Sequence, residues 1–326
     1  MEKKDLRIIF MGTPEFAVGT LSTLIEGGYN VVAVVTQPDK PVGRHQDRLQ
    51  PSAVKQYAVA HNLPVLQPVK MKDEAFVNEL ASYKADLQVV VAFRMLPEVV
   101  WSMPRYGTFN VHAALLPQYR GAAPINWAVI NGETETGVTT FFLDKDIDTG
   151  RIILQKPFPI PDDADVEYVY DGLMKLGAEA AEETIDKLIE GNGEIESIAQ
   201  PEDDSDLKPA PKIFKETCHI DWQSPAKKVY DFIRGLSPYP GAWSDMVRVD
   251  GAKEKNALTM KIFKSAKTST AANGEPGTFT VERNKLFVNA SDNKLEILEL
   301  QLSGKKRMLA RDFLNGFRDV EEYKLK

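Results

Sequence analysis

The first 36 residues alternate two apolar segments with one helical segment. Residues 6–10 and 30–36 are almost entirely apolar, and between them Gly12-Thr13-Pro14 marks a turn before the helical pattern of residues 15–26. Strands without polar alternation are typical of parallel sheets that helices cover on both faces, and such strand–helix–strand connections are right-handed. Because the same alternation continues to about residue 190, the sequence predicts an α/β fold with a doubly wound, mostly parallel sheet.

A different pattern begins near residue 242. Five short segments of strand character, separated by turn residues, lie between residues 243 and 302, and residues 308–316 are predicted to form a helix. This pattern favours a small OB-like β-barrel. Residues 201–217, rich in proline and charge, are predicted to be a linker. We therefore expect a first domain at 1–200 and a second domain at 218–326.

Charge is divided unevenly along the chain. The net charge of −7 conceals a basic carboxyl-terminal part, since residues 208–326 hold 22 Lys and Arg against 15 Asp and Glu, whereas residues 1–207 hold 18 against 32. A polyanion contacted mainly by the basic part would explain this division. The alternative is a solvated acidic region, because residues 162–206 alone carry 16 acidic side chains.

Composition also indicates the cellular compartment in which the protein acts. The hydrophobic fraction of 43% is ordinary for a globular protein in solution. No apolar run approaches the roughly 20 residues that cross a bilayer, and the amino terminus leads into the first strand without an apolar signal region. Cys218 is the only cysteine, so no intrachain disulfide can form, which fits a reducing compartment. We expect a cytoplasmic protein without a membrane partner.

Polar side chains occur at the end of a predicted strand at 108–111. Asn110 and His112 are two residues apart, so they project from the same face of an extended segment. A neutral imidazole exchanges protons near pH 7, and an amide beside it can donate to a developing oxyanion. Such residues at the carboxyl end of a strand favour a ligand site in an open α/β sheet. The alternative is a strand end with a structurally satisfied histidine.

The loop at 143–150 is a second polar segment, with Asp144, Asp146 and Asp148 at alternate positions. It lacks the glycine and the distal glutamate of a calcium loop. We expect it to follow a parallel strand and to lie at the same sheet edge as His112, where a carboxylate could hold the imidazole protonated or position a water molecule. The alternative is a solvated turn.

Motifs for metals and nucleotides are not found in the sequence. The four histidines stand at unrelated spacings and the single cysteine lies in a segment predicted to be extended, so we predict no metal site. The first turn reads Met-Gly-Thr-Pro-Glu rather than Gly-x-Gly-x-x-Gly, and no Walker sequence occurs. Neither NAD nor ATP is therefore supported as a ligand.

Two basic segments, one in a long connection and one near the carboxyl terminus, could contact phosphate groups. Their cationic residues are Lys40, Arg44, Arg48, Lys305, Lys306 and Arg307. The connection at 37–51 is too long for an ordinary strand–helix link. The alternatives are a disordered insert for the first segment and a solvated face for the second.

Five motifs extend from the first strand to the last helix. They read Arg-Ile-Ile-Phe-Met-Gly-Thr-Pro-Glu-Phe at 7–16, Thr-Gln-Pro-Asp-Lys-Pro-Val-Gly-Arg at 36–44, Asn-Val-His-Ala-Ala-Leu-Leu-Pro-Gln-Tyr-Arg-Gly-Ala-Ala-Pro-Ile at 110–125, Asp-Ile-Asp-Thr-Gly at 146–150 and Asp-Phe-Leu-Asn-Gly at 312–316. Together they resemble the methionyl-tRNA formyltransferase family over essentially the whole chain. All folate-dependent formyltransferases share the Asn…His…Asp set, which is specific for the reaction but not for the acceptor. The Gly-Thr-Pro-Glu-Phe start, the long basic connection and the barrel domain favour the tRNA enzymes.

The resemblance implies formyl transfer from 10-formyltetrahydrofolate to the amino group of methionine on initiator tRNA, with no metal. It places Asn110, His112 and Asp148 on the family's catalytic positions, and Arg44 on a loop arginine that helps hold the tRNA acceptor end. The residues expected to contact the folate are Phe93, Arg94, Met95, Leu96, Ala114, Leu115, Leu116 and Pro117. We expect a monomer in which residues 1–200 are catalytic and residues 218–326 bind tRNA.

Two positions depart from the family pattern. Ala114 stands where the family usually has serine and Arg94 where it usually has glycine, so a hydroxyl contact is missing and a large cation is added. Arg94 could meet an acidic ligand or pair with a surface carboxylate. Two other functions remain open: a folate-dependent formyltransferase acting on an amino-sugar nucleotide or a purine precursor, and a non-catalytic RNA-binding protein.

Overall fold

The computed structural model describes residues 1–252 and 257–326, which divide into two compact units that alternate along the sequence. The first unit comprises Met1–Gly121, Glu135–Pro159 and Tyr170–Pro209, and the second Ala122–Thr134, Ile160–Val169 and Ala210–Lys326. The continuous domains expected at 1–200 and 218–326, with a linker at 201–217, remain a prediction. Two short segments of the predicted first domain, 122–134 and 160–169, lie in the second unit.

The amino-terminal half of the chain alternates strands and helices, as its apolar pattern predicts. The elements are β1 (Ile8–Gly12), α1 (Glu15–Glu26), β2 (Val31–Val35), β3 (Lys40–Val42), β4 (Arg48–Gln50), α2 (Ala53–Ala60), β5 (Val65–Leu66), α3 (Glu74–Ser82), β6 (Leu87–Val91), α4 (Glu98–Trp101), β7 (Thr108–His112), α5 (Pro124–Ile130), β8 (Glu135–Phe142), β9 (Ile152–Pro159) and α6 (Val166–Glu190).

The first unit is built on a seven-stranded sheet of order β5-β2-β1-β6-β7-β8-β9. The five strands from β5 to β7 are parallel to their neighbours, and all residues of β1 and β6 are buried. Because helices cover both faces, these strands need no polar alternation. The α/β fold with a mostly parallel sheet is thus confirmed.

The strand before the acidic loop runs opposite to the direction we predicted. β8 is antiparallel to β7, with Phe142 opposite Phe109 and Thr139 opposite His112. The loop at 143–150 therefore leaves the sheet at the edge where β7 begins, and the prediction that it follows a parallel strand was wrong. The burial pattern of a strand reports which faces are covered but does not report strand direction.

The core of the first unit packs the sheet against its helices. On α1, Phe16, Ala17, Leu21 and Leu24 are buried at helical spacing. Burial of each of the three larger side chains, Phe16, Leu21 and Leu24, contributes about 1.5–3 kcal/mol. Replacing the fully buried Leu24 by alanine would cost about 2–5 kcal/mol, since a cavity would remain.

The second unit is built on an antiparallel sheet preceded by one helix. Its elements are α7 (Ala226–Gly235), β10 (Ala242–Arg248), β11 (Leu258–Ala271), β12 (Phe279–Glu282), β13 (Lys285–Asn289), β14 (Asn293–Leu302), β15 (Met308–Leu309), α8 (Ala310–Gly316) and β16 (Tyr323–Leu325).

The strands of the second unit follow the order β12-β13-β14-β11-β10-β16, and β15 pairs with β14. An antiparallel bridge between Thr278 and Lys324 joins the two ends of this order, which is the curvature expected of a small barrel. The second, smaller β domain is thus confirmed. Met308 and Leu309, predicted to be helical, instead form β15, because they pair with Leu300 and Glu299.

A close helix contact explains why segment 122–134 belongs to the second unit. α5 and α7 approach closely at Gly235, where an added Cβ would lie 2.5 Å from Cγ1 of Ile130. The side-chain amide of Asn126 donates to the Gly235 carbonyl at 2.9 Å. A larger residue at position 235 would force the two helices apart. Among the described residues, no helix is long and apolar enough to cross a membrane.

Candidate active site

A buried histidine forms the centre of the site in the first unit. His112 ends β7 with 6% of its surface exposed, and its Nε2 lies 2.8 Å from the carbonyl oxygen of Tyr119. A carbonyl oxygen can only accept a hydrogen bond, so Nε2 carries the proton and donates it. The ring nitrogen left to exchange a proton is therefore Nδ1.

A carboxylate faces that nitrogen. Oδ2 of Asp148 lies 3.8 Å from Nδ1 of His112, and only 11% of the Asp148 side chain is exposed. The distance is too long for a direct hydrogen bond, but the charge is close enough to attract a proton at Nδ1. The same Oδ2 accepts the Gly121 amide at 2.9 Å. The predicted approach of a loop carboxylate to the imidazole is confirmed in position.

The acidic loop reaches His112 by returning from the opposite edge of the sheet. At its start the amide of Leu143 donates to the Thr108 carbonyl at 2.8 Å, and at its end the amide of Phe142 donates to the Arg151 carbonyl at 3.0 Å. Gly150 permits this tight return, since an added Cβ would lie 1.6 Å from the Phe142 carbonyl oxygen. Asp148 adopts a left-handed backbone with φ of 57°, a conformation that aspartate tolerates better than most residues.

Asn110 supplies an amide whose oxygen has no partner in the described chain. It precedes His112 by two residues on β7, so both side chains project from one face of the strand. Its Oδ1 is buried and has no hydrogen-bond partner among the described residues. Leaving such a group unpaired costs about 1–3 kcal/mol. A half-buried amide of this kind is suited to bind a polar substrate group.

Sequence reasoning missed Gln200, which contacts the acidic loop directly. Its Nε2 donates to the carbonyls of Asp148 at 2.8 Å and Gly150 at 2.7 Å. Its Oε1 accepts two hydrogen bonds from Arg120, at 3.1 and 2.8 Å. Gln200 stands 52 residues after Asp148, beside Pro201 in a charge-rich segment, and no local pattern distinguishes it.

The predicted folate-contacting segment at 114–117 is firmly held by its own chain. The Thr139 hydroxyl donates to the Ala114 carbonyl at 2.6 Å and accepts the Leu116 amide at 3.1 Å. Gln155 donates to the Leu116 carbonyl at 2.8 Å. Ala114 and Leu116 are buried, while Leu115 and Pro117 are half-buried. The backbone groups named here are therefore already paired.

The predicted contacts at 93–96 differ in exposure. Met95 is 67% exposed, whereas Leu96 lies in the core between β6 and α4, and Phe93 is half-buried. The Arg94 guanidinium donates to the Val69 carbonyl at 2.9 Å and to the Pro68 carbonyl. Burial lowers the pKa of Arg94. Arg94 thus binds two backbone carbonyls rather than the surface carboxylate that we considered as its partner.

The basic connection at 37–51 contains a hairpin rather than a disordered insert. β3 and β4 are antiparallel, with Lys40 opposite Gln50 and Val42 opposite Arg48. Lys40, Arg44 and Arg48 are all exposed, and the ion pairs recorded among the described residues involve none of them. Their charges are therefore available to a partner.

The second basic cluster is only partly free. Lys305 and Lys306 are exposed, whereas Nε of Arg307 lies 2.6 Å from Oε1 of Glu299 and its guanidinium covers the ring of Phe263 at 4.2 Å. Arg307 therefore contributes less free charge than the two lysines. Within 1–252 and 257–326, His, Cys, Asp and Glu side chains form no group of three that could hold a metal ion.

The arrangement defines a class of enzyme. An imidazole with one fixed proton, a carboxylate facing its other nitrogen and an unused amide form an acid–base site that can stabilise an oxyanion. Comparisons with known proteins narrow this class to formyl transfer. A model described as Formyl transferase matches residues 6–185, and one described as Formyl transferase, C-terminal domain, matches residues 212–318.

A bacterial relative extends the match to the whole chain. The methionyl-tRNA formyltransferase of Parabacteroides distasonis is 59% identical over 327 residues, covering 99% of each chain. The protein therefore belongs to the methionyl-tRNA formyltransferase family. The reaction that it catalyses is formyl transfer.

Two solved structures share the fold at lower identity. WlaRD, a sugar 3N-formyl transferase crystallised in the presence of dTDP and 5-N-formyl-THF, matches with a TM-score of 0.63 and 19% identity over 92% of this chain and 99% of that one. HypX from Aquifex aeolicus, in complex with tetrahydrofolic acid, matches with a TM-score of 0.61 and 18% identity over 96% of this chain and 47% of that one. At such identities these likenesses support the fold alone.

Proposed function

We propose that the formyl donor is 10-formyltetrahydrofolate and that the acceptor is the amino group of methionine carried by initiator tRNA. The observation that carries the proposal is the placement of Asn110, His112 and Asp148 within a chain whose relatives match over its full length. A folate is also present in the two solved neighbours named above. The product, formylmethionyl-tRNA, would serve the initiation of translation.

The residues present fit a formyl group. The buried Oδ1 of Asn110 has no hydrogen-bond partner among the described residues, so no contact recorded there fixes the orientation of this amide. The amide can turn its NH₂ group toward a carbonyl-type oxygen without breaking a contact in the described chain. Beside it, Nδ1 of His112 is free to exchange a proton, since Nε2 is fixed by Tyr119.

These side chains divide the reaction into proton transfer and charge stabilisation. The folate supplies a formyl carbon bonded to nitrogen. Nδ1 of His112 takes a proton from the attacking methionine amine, and Asp148 stabilises the imidazolium that results. The Asn110 amide donates to the oxyanion that develops on the formyl oxygen, a contact of a kind worth about 10²–10³ in rate. His112 then returns the proton to the departing nitrogen.

Exposed cations are proposed to bind the tRNA. Lys40, Arg44 and Arg48 in the first unit and Lys305, Lys306 and Arg307 in the second are exposed. Such contacts neutralise backbone phosphates and release counterions, so the affinity should fall as salt rises. We further propose that Phe93–Leu96 and Ala114–Pro117 line the folate site, and that the protein acts as a cytoplasmic monomer.

A two-acceptor assay tests the proposed function. Purified protein is given 10-formyltetrahydrofolate with either methionine-charged initiator tRNA or an amino-sugar nucleotide, and formyl transfer to each is measured. We expect transfer to the tRNA and none to the sugar. Transfer to the sugar alone would preserve the chemistry of the first unit and overturn the proposed acceptor, while transfer to neither would overturn the proposed pair of donor and acceptor.

A further inference from the structure

Gln200 lies outside both family matches, which end at residue 185 and resume at residue 212. It nevertheless makes four hydrogen bonds within the first unit, two as donor and two as acceptor. Both ends of its side-chain amide are therefore engaged. Fixing a glutamine side chain in one conformation costs conformational entropy, which these four hydrogen bonds must offset.

The orientation of the Gln200 amide follows from its partners. Arginine can only donate, so Oε1 must face Arg120, and carbonyl oxygens can only accept, so the NH₂ group must face Asp148 and Gly150. The bidentate contact from Arg120 fixes the plane of the amide. A reversed amide would place oxygen against oxygen at two positions.

The acidic loop has few other restraints. Asp144, Asp146 and Ile147 are exposed, and Ile147 shows 57% of its surface. Asp148 itself adopts a left-handed backbone, which still costs free energy in a residue other than glycine. The restraints recorded on Asp148 are the Gly121 amide on its carboxylate and Gln200 on its carbonyl. Gln200 therefore holds the backbone of Asp148, and the position of that backbone determines where the Asp148 carboxylate lies.

Three consecutive residues connect this anchor to the histidine. The Tyr119 carbonyl accepts from Nε2 of His112, the Arg120 side chain holds Gln200, and the Gly121 amide donates to Asp148. The imidazole and the carboxylate are thus both held by hydrogen bonds to the same short segment of backbone. A shift at Gln200 would change the 3.8 Å separation between Nδ1 and Oδ2 without removing either group.

We propose that Gln200, oriented by Arg120, is a positioning residue that sets Asp148 against Nδ1 of His112. The inference rests on the proposed function, because it concerns proton transfer during formyl transfer. Gln200 contacts neither the folate nor the tRNA in this proposal. It acts on the rate of the chemical step through Asp148, and Arg120 acts through Gln200.

The Gln200→Glu variant tests this role with little change in size. A glutamate still accepts from Arg120 but cannot donate to the carbonyls of Asp148 and Gly150, so the loop loses its anchor. We expect kcat to fall about 10–100-fold, because a displacement of 1 Å can cost about 10² in rate. KM for tRNA and for folate should change less than about threefold, since no substrate contact is removed.

A double-mutant cycle with Asp148→Asn separates positioning from general damage. If Gln200 acts through Asp148, Gln200→Glu should reduce kcat far less in the Asp148→Asn background than in the wild type. Additive losses would overturn the proposal. The matched control is Arg151→Ala, which removes a similar arginine clamp on the Ser197 hydroxyl and carbonyl and should leave kcat unchanged.

Nitrogen-15 NMR of the His112 ring supplies a readout that does not depend on turnover. In Gln200→Glu the ring signals should change as they do in Asp148→Asn, and in Arg151→Ala they should not. Signals and kcat equal to those of the wild type would overturn the proposal, and so would failure of both Gln200→Glu and Gln200→Leu to fold. A wild-type protein that transfers no formyl group would reject the proposed function, while the NMR comparison would still decide the positioning role.

Discussion

The site around His112 and the hairpin formed by β3 and β4 belong to the same unit but handle charge in opposite ways. At the site, His112 and Asp148 are largely buried and each is held by backbone groups. On the hairpin, Lys40, Arg44 and Arg48 are exposed and take part in none of the recorded ion pairs. One region fixes a few charges in place, and the other leaves several free.

This difference indicates how chemistry and binding are separated. Proton transfer needs groups held to a fraction of an ångström, which buried hydrogen bonds provide. Attraction of a polyanion needs only net positive charge on an accessible surface, and it decreases with salt. Substitutions at the site should therefore change kcat, and substitutions on the hairpin should change the apparent affinity for tRNA.

The largest effect is expected from His112→Ala. Removing the imidazole abolishes proton transfer at Nδ1, so kcat should fall by about 10²–10⁴, while tRNA binding is preserved. Steady-state formylation and filter binding measure the two quantities. His61→Ala is the control, since His61 is an exposed helix-end residue stacked on Tyr57. Unchanged turnover in His112→Ala would contradict the catalytic role proposed for the imidazole.

The next effect concerns the charge of Asp148. Asparagine retains an oxygen that can accept the Gly121 amide but loses the charge that stabilises the imidazolium. We expect kcat of Asp148→Asn to fall about 10²-fold, with a smaller change in KM. Asp146→Asn, an exposed acid in the same loop, should behave as wild type. Equal losses in both variants would indicate that the loop acts through its net charge.

A smaller effect is expected on the hairpin. Arg44→Ala removes one exposed cation, so KM for tRNA should rise several-fold. The slope of the logarithm of the affinity against the logarithm of the salt concentration should become smaller by about the share of one phosphate contact. Arg105→Ala, which removes an arginine already paired with Asp86, is the control. If Arg44→Ala matches wild type at every salt concentration, the hairpin is not a tRNA contact.

The smallest effect concerns the base of the hairpin, where Asp39 is held by Gln67 and Lys55. The hydrogen bond from Gln67, followed by that from Lys55, lowers the pKa of Asp39. A carboxyl group whose pKa is lowered in the folded state stabilises that state above its unfolded pKa of about 3.9, and the contribution disappears as pH falls through the folded pKa.

Gln67→Leu should therefore lower Tm by only about 1 °C near neutral pH, because the group is near the surface. The part of this difference that comes from Asp39 should vanish as the pH falls below the pKa of Asp39, leaving only the loss of the Gln67 hydrogen bond to the Gln37 carbonyl. Thermal melts at neutral and acidic pH measure this, with Gln56→Leu as a control that lacks a carboxylate partner. A difference of unchanged size in acid would assign the effect to the Gln37 hydrogen bond or to packing rather than to the charge of Asp39.

The sequence allowed the sheet and its helices to be predicted because each has a local signature. The catalytic roles of Asn110, His112 and Asp148 were implied by the family resemblance and stay a prediction, although Asp148 does lie near His112. Residues 15–26 and 166–190 were predicted as helices and are α1 and α6, since apolar spacing reports the buried face. The proximity of Asp148 to His112 was expected on the assumption of a parallel strand, yet the loop reaches the imidazole by folding back at Gly150. The right contact was thus predicted for a wrong reason.

Other features could not be predicted from local sequence patterns. Gln200 reaches Asp148 across 52 residues, and nothing in its own neighbourhood records that partner. The alternation of the two units depends on contacts such as Asn126 with Gly235, which join segments 109 residues apart. Such long-range hydrogen bonds leave no periodicity in the sequence, so the structure was needed to find them.

The most direct test measures the chemical step and tRNA binding side by side in His112→Ala and Arg44→Ala. Single-turnover formylation at saturating tRNA gives the rate of chemistry, and equilibrium binding gives the affinity. We predict that His112→Ala binds tRNA like the wild type but loses the chemical step, while Arg44→Ala binds more weakly and retains the wild-type rate at saturation. If either variant lost both properties together, the separation of chemistry from binding within the first unit would be contradicted.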